Sequence, residues 1–333
     1  MAADHPVIDV RSPSEYAHAH FPTAISLPLF NDEERKVVGT TYKQQSREKA
    51  IKTGLDYFGP KMKAMVEQTE ALLEQYATRT VIVHCWRGGM RSGAVAWLLA
   101  LYGFKVFTLE GGYKSFRRKV LEELAKPHRL QILGGYTGSG KTEILQHFRK
   151  QGMPVIDLEH LAMHRGSAFG GLGMPKQCSA EHFENKLALA LMAIEKKYPE
   201  QAIWLESESQ RIGNINMQHT FFRQMLAAPY VFLDIPFEER LKHIGKEYGY
   251  FDKADLADTI RRIQKRLGGL ETKTALQHLE QNDVLSCFRI LLKYYDKFYQ
   301  KSNLDFRTDK TVISLPDTNA AENTAIILKH LSE

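Results

Sequence analysis

Cysteine is scarce in this sequence: there are three in 333 residues, Cys85, Cys178 and Cys287, far apart and with no C-x-x-C pair. That scarcity excludes a disulfide framework and a structural zinc site, and directs attention to a free thiol with a task of its own. Long apolar runs are missing as well. The longest, Ala94–Leu101, falls far short of the roughly 20 residues needed to cross a bilayer. The opening MAADHP has no basic stretch leading into an apolar one, so the expectation is a cytoplasmic chain with no membrane partner. Neither sign of charge dominates: 45 Lys and Arg against 39 Asp and Glu give +6, an excess that permits a polyanionic partner without demanding one. With 43% hydrophobic and 25% charged residues the chain is neither disordered nor fibrous, and its length suits two cores.

Strand and helix signals alternate. Pro6–Val10, Ala24–Leu27, Thr80–His84 and Lys105–Leu109 read as strands, with helices over Lys61–Tyr76 and Ser92–Tyr102, which predicts a parallel α/β sheet. Lys126-Pro127-His128 interrupts the pattern, so a first domain is expected over 1–124 and a second over 128–333. In the second, strands are expected at Leu130–Leu133, Val155–Leu158, Ala202–Leu205, Tyr230–Leu233 and Thr311–Leu315, with a largely helical stretch from Pro236 to Asn303.

The sharpest motif is Gly135-Tyr136-Thr137-Gly138-Ser139-Gly140-Lys141-Thr142, a full match to G-x-x-x-x-G-K-[ST] between an expected strand and an expected helix at Glu143–Lys150. Glycines let successive N–H groups point at a phosphate, the helix N-terminus adds positive potential, and Lys141 bridges phosphate oxygens. Thr142 is a magnesium ligand if a diphosphate binds with its metal. Asp157 with Glu159, Glu206 and Asp234, at the ends of expected strands, compete for the part of acidic partner, each with an ordinary helix-capping or surface role as the alternative. Arg240, in the segment after Asp234, could approach phosphates or simply begin a solvated helix.

The second motif is His84-Cys85-Trp86-Arg87-Gly88-Gly89-Met90-Arg91-Ser92. A buried strand runs into a cysteine, then into glycines, two arginines and a helix start. Ringed N–H groups, the helix terminus and the guanidinium groups of Arg87 and Arg91 should lower the thiol pKa and make Cys85 a nucleophile in an anion cradle. Cys178 and Cys287 lack such surroundings. Weaker features are the Gly-rich stretch Arg165–Gly173, the polar run Ser207–Gly213, and two basic clusters, Lys114 with Arg117, Arg118 and Lys119, and Arg261-Arg262 with Lys265 and Arg266. The clusters could touch an RNA backbone or merely be solvated helix faces. The aromatic stripe Phe288, Tyr294, Tyr295, Phe298, Tyr299 suits a core better than a base-stacking platform.

Asp9-Val10-Arg11, Glu15-Tyr16, His20–Pro28 and Leu109–Tyr113 around the cysteine loop resemble a rhodanese domain, departing from it at Thr23 and in a loop one residue longer than that of simple sulfurtransferases. The C-x5-R spacing also fits a cysteine phosphatase, which the flanking residues disfavour. A rhodanese-like domain with a parallel sheet, followed by a P-loop NTPase-like α/β domain with a helical C-terminal part, resembles the tRNA 2-selenouridine synthase family. The resemblance implies replacement of sulfur by selenium on the wobble 2-thiouridine of tRNA, through S-geranylation with geranyl diphosphate and then selenation with selenophosphate. It assigns Cys85, with Arg87 and Arg91, to selenium transfer as a selenosulfide, and Gly135, Thr137, Gly138, Ser139, Gly140, Lys141 and Thr142 to a diphosphate. It also admits an enzyme that supplies selenophosphate as a partner. A thiosulfate-type sulfurtransferase using Cys85 alone, a small-molecule or RNA kinase using the P-loop, and a binding module with both sites idle are the other classes.

Overall fold

Short β-branched strands buried on both faces can pair only within a sheet that helices cover, and this governs both halves of the chain. The computed structural model describes residues 5–299 and 310–332. The chain divides into two compact units, residues 1–123 with 181–186, and residues 124–180 with 187–333.

In the first unit, β1 (Val7–Asp9), β2 (Ala24–Ser26), β3 (Thr80–His84) and β4 (Lys105–Thr108) form a parallel sheet in the order β2-β1-β3-β4. Ile8, Val10, Val81 and Val83 meet Val95 and Leu99 of the helix Met90–Tyr102 in its core. All four expected strands are present, within a residue or two at their ends. The helices Asp32–Gln44 and Arg47–Phe58 were not anticipated. The former buries no residue completely, so its apolar period is faint, and its readable signal was the capping box in which Asn31 and Glu34 exchange bonds of 2.8 and 2.9 Å.

In the second unit, β5 (Leu130–Gly135), β6 (Ile203–Glu206), β9 (Tyr230–Asp234) and β10 (Lys310–Ser314) form a parallel sheet in the order β10-β9-β5-β6, while β7 (Arg211–Ile212) and β8 (Ile215–Asn216) make a small antiparallel hairpin. The strand expected at Val155–Leu158 is reduced to a single parallel bridge between Val155 and Trp204. Asp157 caps the helix Leu158–Ala162 by accepting from the His160 N–H at 2.7 Å, which ends extension there. The expected helical stretch is five helices between Phe237 and Tyr299, closed around Leu241, Ile260, Leu279, Phe288 and Leu291; positions 300–303 of that expectation lie outside the described residues.

One buried ion pair pins the first sheet. Asp9 and Arg11 are 0% and 1% exposed. Arg11 donates from Nε at 3.0 and 2.9 Å and from Nη2 at 2.6 Å to the Asp9 carboxylate, gives a further bond of 2.7 Å to the Ala19 carbonyl, and lies 3.8 Å from the centre of the Tyr113 ring. Removing one partner strands the other charge in the interior, so Asp9→Ala should cost about 3–5 kcal/mol in equilibrium unfolding. Asp9→Ala within 1 kcal/mol of the parent would show that the pair is not structural.

Candidate functional site

Cys85 follows the last residue of β3, where the chain must turn sharply into the helix Met90–Tyr102. Gly88 (φ +64°) and Gly112 (φ +59°) permit that turn. A Cβ at Gly112 would lie 2.4 Å from both the Cys85 carbonyl oxygen and the Gly88 nitrogen, so the two segments can nest only without side chains. The N–H groups of Tyr113 and Lys114 donate to the Cys85 and Trp86 carbonyls at 2.8 and 2.9 Å and fix the loop from below. Cys85 is 3% exposed, and its sulfur accepts a hydrogen bond from Ser92 Oγ at 3.3 Å.

Burial pushes the Cys85 thiol up, but the Ser92 hydroxyl and the N–H groups of Ser92, Arg87 and Gly89 outweigh it, leaving the thiol below its ordinary range. Of the causes expected from sequence, the ring of N–H groups carries the shift, joined by the Ser92 hydroxyl; guanidinium charge is not among the leading causes. Arg91 is committed elsewhere, donating to Glu15 at 2.7 and 3.4 Å. Burial alone would raise the Glu15 carboxyl, but the Arg91 bond and charge hold it below its usual range. Arg87 is exposed at the loop, and no described acid forms an ion pair with it. Of the two arginines, Arg87 is thus the one left to meet an anion.

In the second unit, β5 runs through Gly134 and Gly135 into the loop that closes on the helix Lys141–Lys150. Gly138 (φ +80°) packs so tightly that a Cβ would meet Ile244 at 2.7 Å and the Arg240 carbonyl at 2.9 Å. Lys141 folds back over the loop, Nζ donating to the Gly135 carbonyl at 3.0 Å. Arg240, open from sequence between a phosphate contact and the start of a solvated helix, is neither: it is 3% exposed and serves the loop from behind. It forks onto Asp296 at 2.9 and 2.8 Å and donates to the Thr137 carbonyl at 3.1 Å.

The acidic side of this site differs from the sequence expectation. Glu206 lines the cavity at the end of β6, brought there by the register Leu133↔Glu206. Asp234 is exposed at the end of β9 and does not line the cavity, and Asp157 is spent on its cap. Glu159, beside Asp157 at the end of an expected strand, does reach the site: it accepts from Thr142 Oγ1 at 3.2 Å and donates its N–H to Glu206 Oε1 at 2.7 Å. The acid not singled out is Glu208, whose carboxylate lies 2.6 Å from where a Cβ on Gly166 would stand. Glu-x-Glu directly after a buried strand was the signal available for Glu208.

Burial, with Asp157 adding to it against Lys141, pushes Glu159 up to about 7. Glu206 and Glu208 are raised well above the ordinary range by burial and by their acidic neighbours. Glu206 Oε2 has no hydrogen-bond partner among the described residues. The oxygen donors of Thr142 and Glu159, with that orphan oxygen beside them, fit a hard divalent cation such as magnesium.

These groups open on one cavity of about 1320 Å³ that reaches from the loop Gly135–Thr142 to Tyr294, Tyr295, Phe298 and Tyr299. The aromatic stripe is therefore divided, with Phe288 in the helical core and the other four at the cavity. The Gly-rich stretch contributes Arg165–Ala168 and Gly171 to the wall and is anchored by buried Phe169. Cys178 also lines the cavity, partly exposed, whereas burial pushes Cys287 up to about 12.

Residues 128–323 match the family model "tRNA 2-selenouridine synthase AAA domain", and residues 1–119 match the rhodanese-like domain. Among curated proteins, a tRNA 2-selenouridine synthase of Hydrogenovibrio crunogenus is 36% identical, the match covering 88% of each chain. Proteins of the same name from Shewanella halifaxensis and Sulfurovum sp. are 33% and 31% identical, covering 93% and 97% of this chain and 91% and 94% of theirs.

Because the Ser92 hydroxyl helps hold the thiol down, Ser92→Ala should move the midpoint of iodoacetamide alkylation at Cys85 to higher pH, with Cys178→Ser present to isolate the signal. An unmoved or lowered midpoint would remove Ser92 from the account.

Proposed function

The chain belongs to the tRNA 2-selenouridine synthase family, and from that premise we propose that it replaces sulfur by selenium in the wobble 2-thiouridine of tRNA, in the cytoplasm and in two stages. The first alkylates the sulfur with geranyl diphosphate. The second delivers selenium from selenophosphate, for which a supplying enzyme is the natural partner.

The observation that carries the first stage is the continuity of one cavity from a phosphate loop to an aromatic wall, which suits a diphosphate joined to an apolar tail. The thiouridine sulfur attacks the first carbon of the geranyl group, the carbon–oxygen bond breaks, diphosphate leaves with the electron pair, and the base loses its N3 proton. Lys141 and the N–H groups of the loop receive the charge that develops on the departing oxygen. Magnesium, where bound, would be held by Thr142 and Glu159 and would neutralise diphosphate charge. Arg240 holds the loop's backbone in place through Thr137.

For the second stage the thiolate of Cys85 attacks the selenium of selenophosphate, with Arg87 at the anion. The new S–Se bond requires the Se–P bond to break with its electrons on phosphorus, so phosphite leaves. The terminal selenium then displaces geranylthiol from C2 of the base, and a thiol reductant cleaves the selenosulfide to free 2-selenouridine and Cys85. Arg91 positions the loop through Glu15.

With purified protein, thiolated tRNA and both donors, Lys141→Ala should abolish S-geranylation, a loss of at least about 100-fold. Cys85→Ser should leave S-geranylation intact and stop selenation, and wild-type protein should release phosphite and require a thiol. S-geranylation by Lys141→Ala at the parent rate would overturn the loop assignment. Phosphate in place of phosphite would overturn carriage on Cys85.

A further inference from the structure

The cavity of the second unit is larger than its diphosphate needs. Pockets that take drug-sized ligands run to about 300–1,000 Å³, whereas this space is about 1320 Å³. Away from the phosphate loop, part of its wall is the turn joining the helices Lys253–Arg262 and Gln264–Leu267. Of the four cations in this stretch, Arg262 and Arg266 line the cavity, and Arg261 and Lys265 do not. Arg261 is paired with Asp258 at 2.9 Å. Among the described residues none forms an ion pair or side-chain hydrogen bond with Arg262 or Arg266. Buried Ile263 and Leu267 anchor the turn, so both guanidinium groups are presented from a fixed backbone.

In the other basic cluster three of the four cations are engaged, Lys114 being the exception among the described residues. Arg117 is bound to Glu184 at 2.6 Å and to Asn185 at 2.6 Å, Arg118 to Glu122 at 3.7 Å, and Lys119 to Glu122 at 2.8 Å. Cations already paired in this way gain little from a phosphate, whereas two unpaired arginines at a cavity rim gain in full. Tyr294 and Phe298 also line the cavity, their rings lying nearly parallel with centroids 6.4 Å apart and an interplanar angle of 26°, and Phe298 is 54% exposed.

We infer that Arg262 and Arg266 hold the phosphate backbone of the tRNA anticodon loop at this cavity, and that Tyr294 and Phe298 offer the flat faces on which an unstacked base rests. Single-stranded RNA is the nucleic acid that combines accessible phosphates with splayed bases, and arginine with aromatic rings is the pairing that binds it. The inference rests on the reading that the thiolated base is alkylated in this cavity. It adds the residues that bring the RNA there.

The test uses the full chain, thiolated tRNA and geranyl diphosphate. The double variant R262Q/R266Q should weaken tRNA binding roughly tenfold or more. It should also flatten the dependence of log Kd on log salt by about 1.4, at about 0.7 per single-strand phosphate contact. KM for tRNA should rise while KM for geranyl diphosphate stays put. The pair R262K/R266K should keep most of the salt slope, and R118Q should match the parent. An unchanged tRNA Kd and slope in R262Q/R266Q overturns the inference, as does a loss confined to geranyl diphosphate, which would assign the arginines to the small diphosphate. Arginine-dependent tRNA binding by a wild-type protein that transfers no geranyl group supports the subsite and removes the alkylation reading instead.

Discussion

Everything chemical in this protein depends on one geometric event, the passage from a buried parallel strand through glycines into the first turn of a helix. A parallel strand cannot turn back on itself, so its chain must leave the sheet at the carboxyl edge, and N–H groups with no partner in strand or helix collect there. In the first unit these groups close on a sulfur and in the second they surround a space beside Lys141. The same backbone arrangement thus gives a stabilised thiolate in one place and a phosphate-sized anion site in the other. Glycine is required at Gly112 and Gly138 by contact distance and by positive φ together, so a side chain at either would open the cradle it closes.

Within that frame, charge pairing separates the cations that build from those that are left to act. Arg11, Arg91 and Arg240 have similar chemistry and all lie close to a functional loop, but each is forked onto a carboxylate, Asp9, Glu15 and Asp296 respectively. A guanidinium so engaged orients its neighbours and contributes little to an incoming anion. Arg87, Arg262 and Arg266 form no ion pair among the described residues, and Lys141 rests only on carbonyl and hydroxyl oxygens, which a phosphate can replace. Proximity in sequence to a motif therefore says less about a basic residue than the presence of an acid within reach.

This is also the line between what was legible in the sequence and what was not. The loops Cys85–Ser92 and Gly135–Thr142 could be read because the residues that do chemistry are contiguous and the glycines betray the turn. Eight of the nine expected strands appear within a residue or two of where the apolar runs placed them, and Val155–Leu158 failed because the Asp157 cap bonds of the following helix displaced the ladder. Which of the candidate acids reach the loop was not legible, because their position depends on strand register across the sheet. Leu133 opposite Glu206 carries that carboxyl to the loop, whereas Asp234, one residue beyond buried Leu233 on β9, points away from it. The pairing of Arg91 with Glu15 spans 76 positions and no local pattern announces it.

The register that gathers Glu159 and Glu206, with Glu208 close behind, sets a condition on whatever enters the cavity. Three carboxyl groups facing one lysine cannot all be ionised at modest cost, which is why burial and mutual repulsion raise all three. An anionic ligand seated on the loop adds to that repulsion and must raise them further, since linkage works in both directions. The site can accept a diphosphate only if protons remain on the acids or a cation arrives with the ligand. Because burial raises all three acids, protons and a cation are alternative sources of that compensation. Raising the pH removes the protons and leaves the cation as the remaining source of compensation, so anion affinity at this loop should become progressively more dependent on divalent ions as the medium grows more basic.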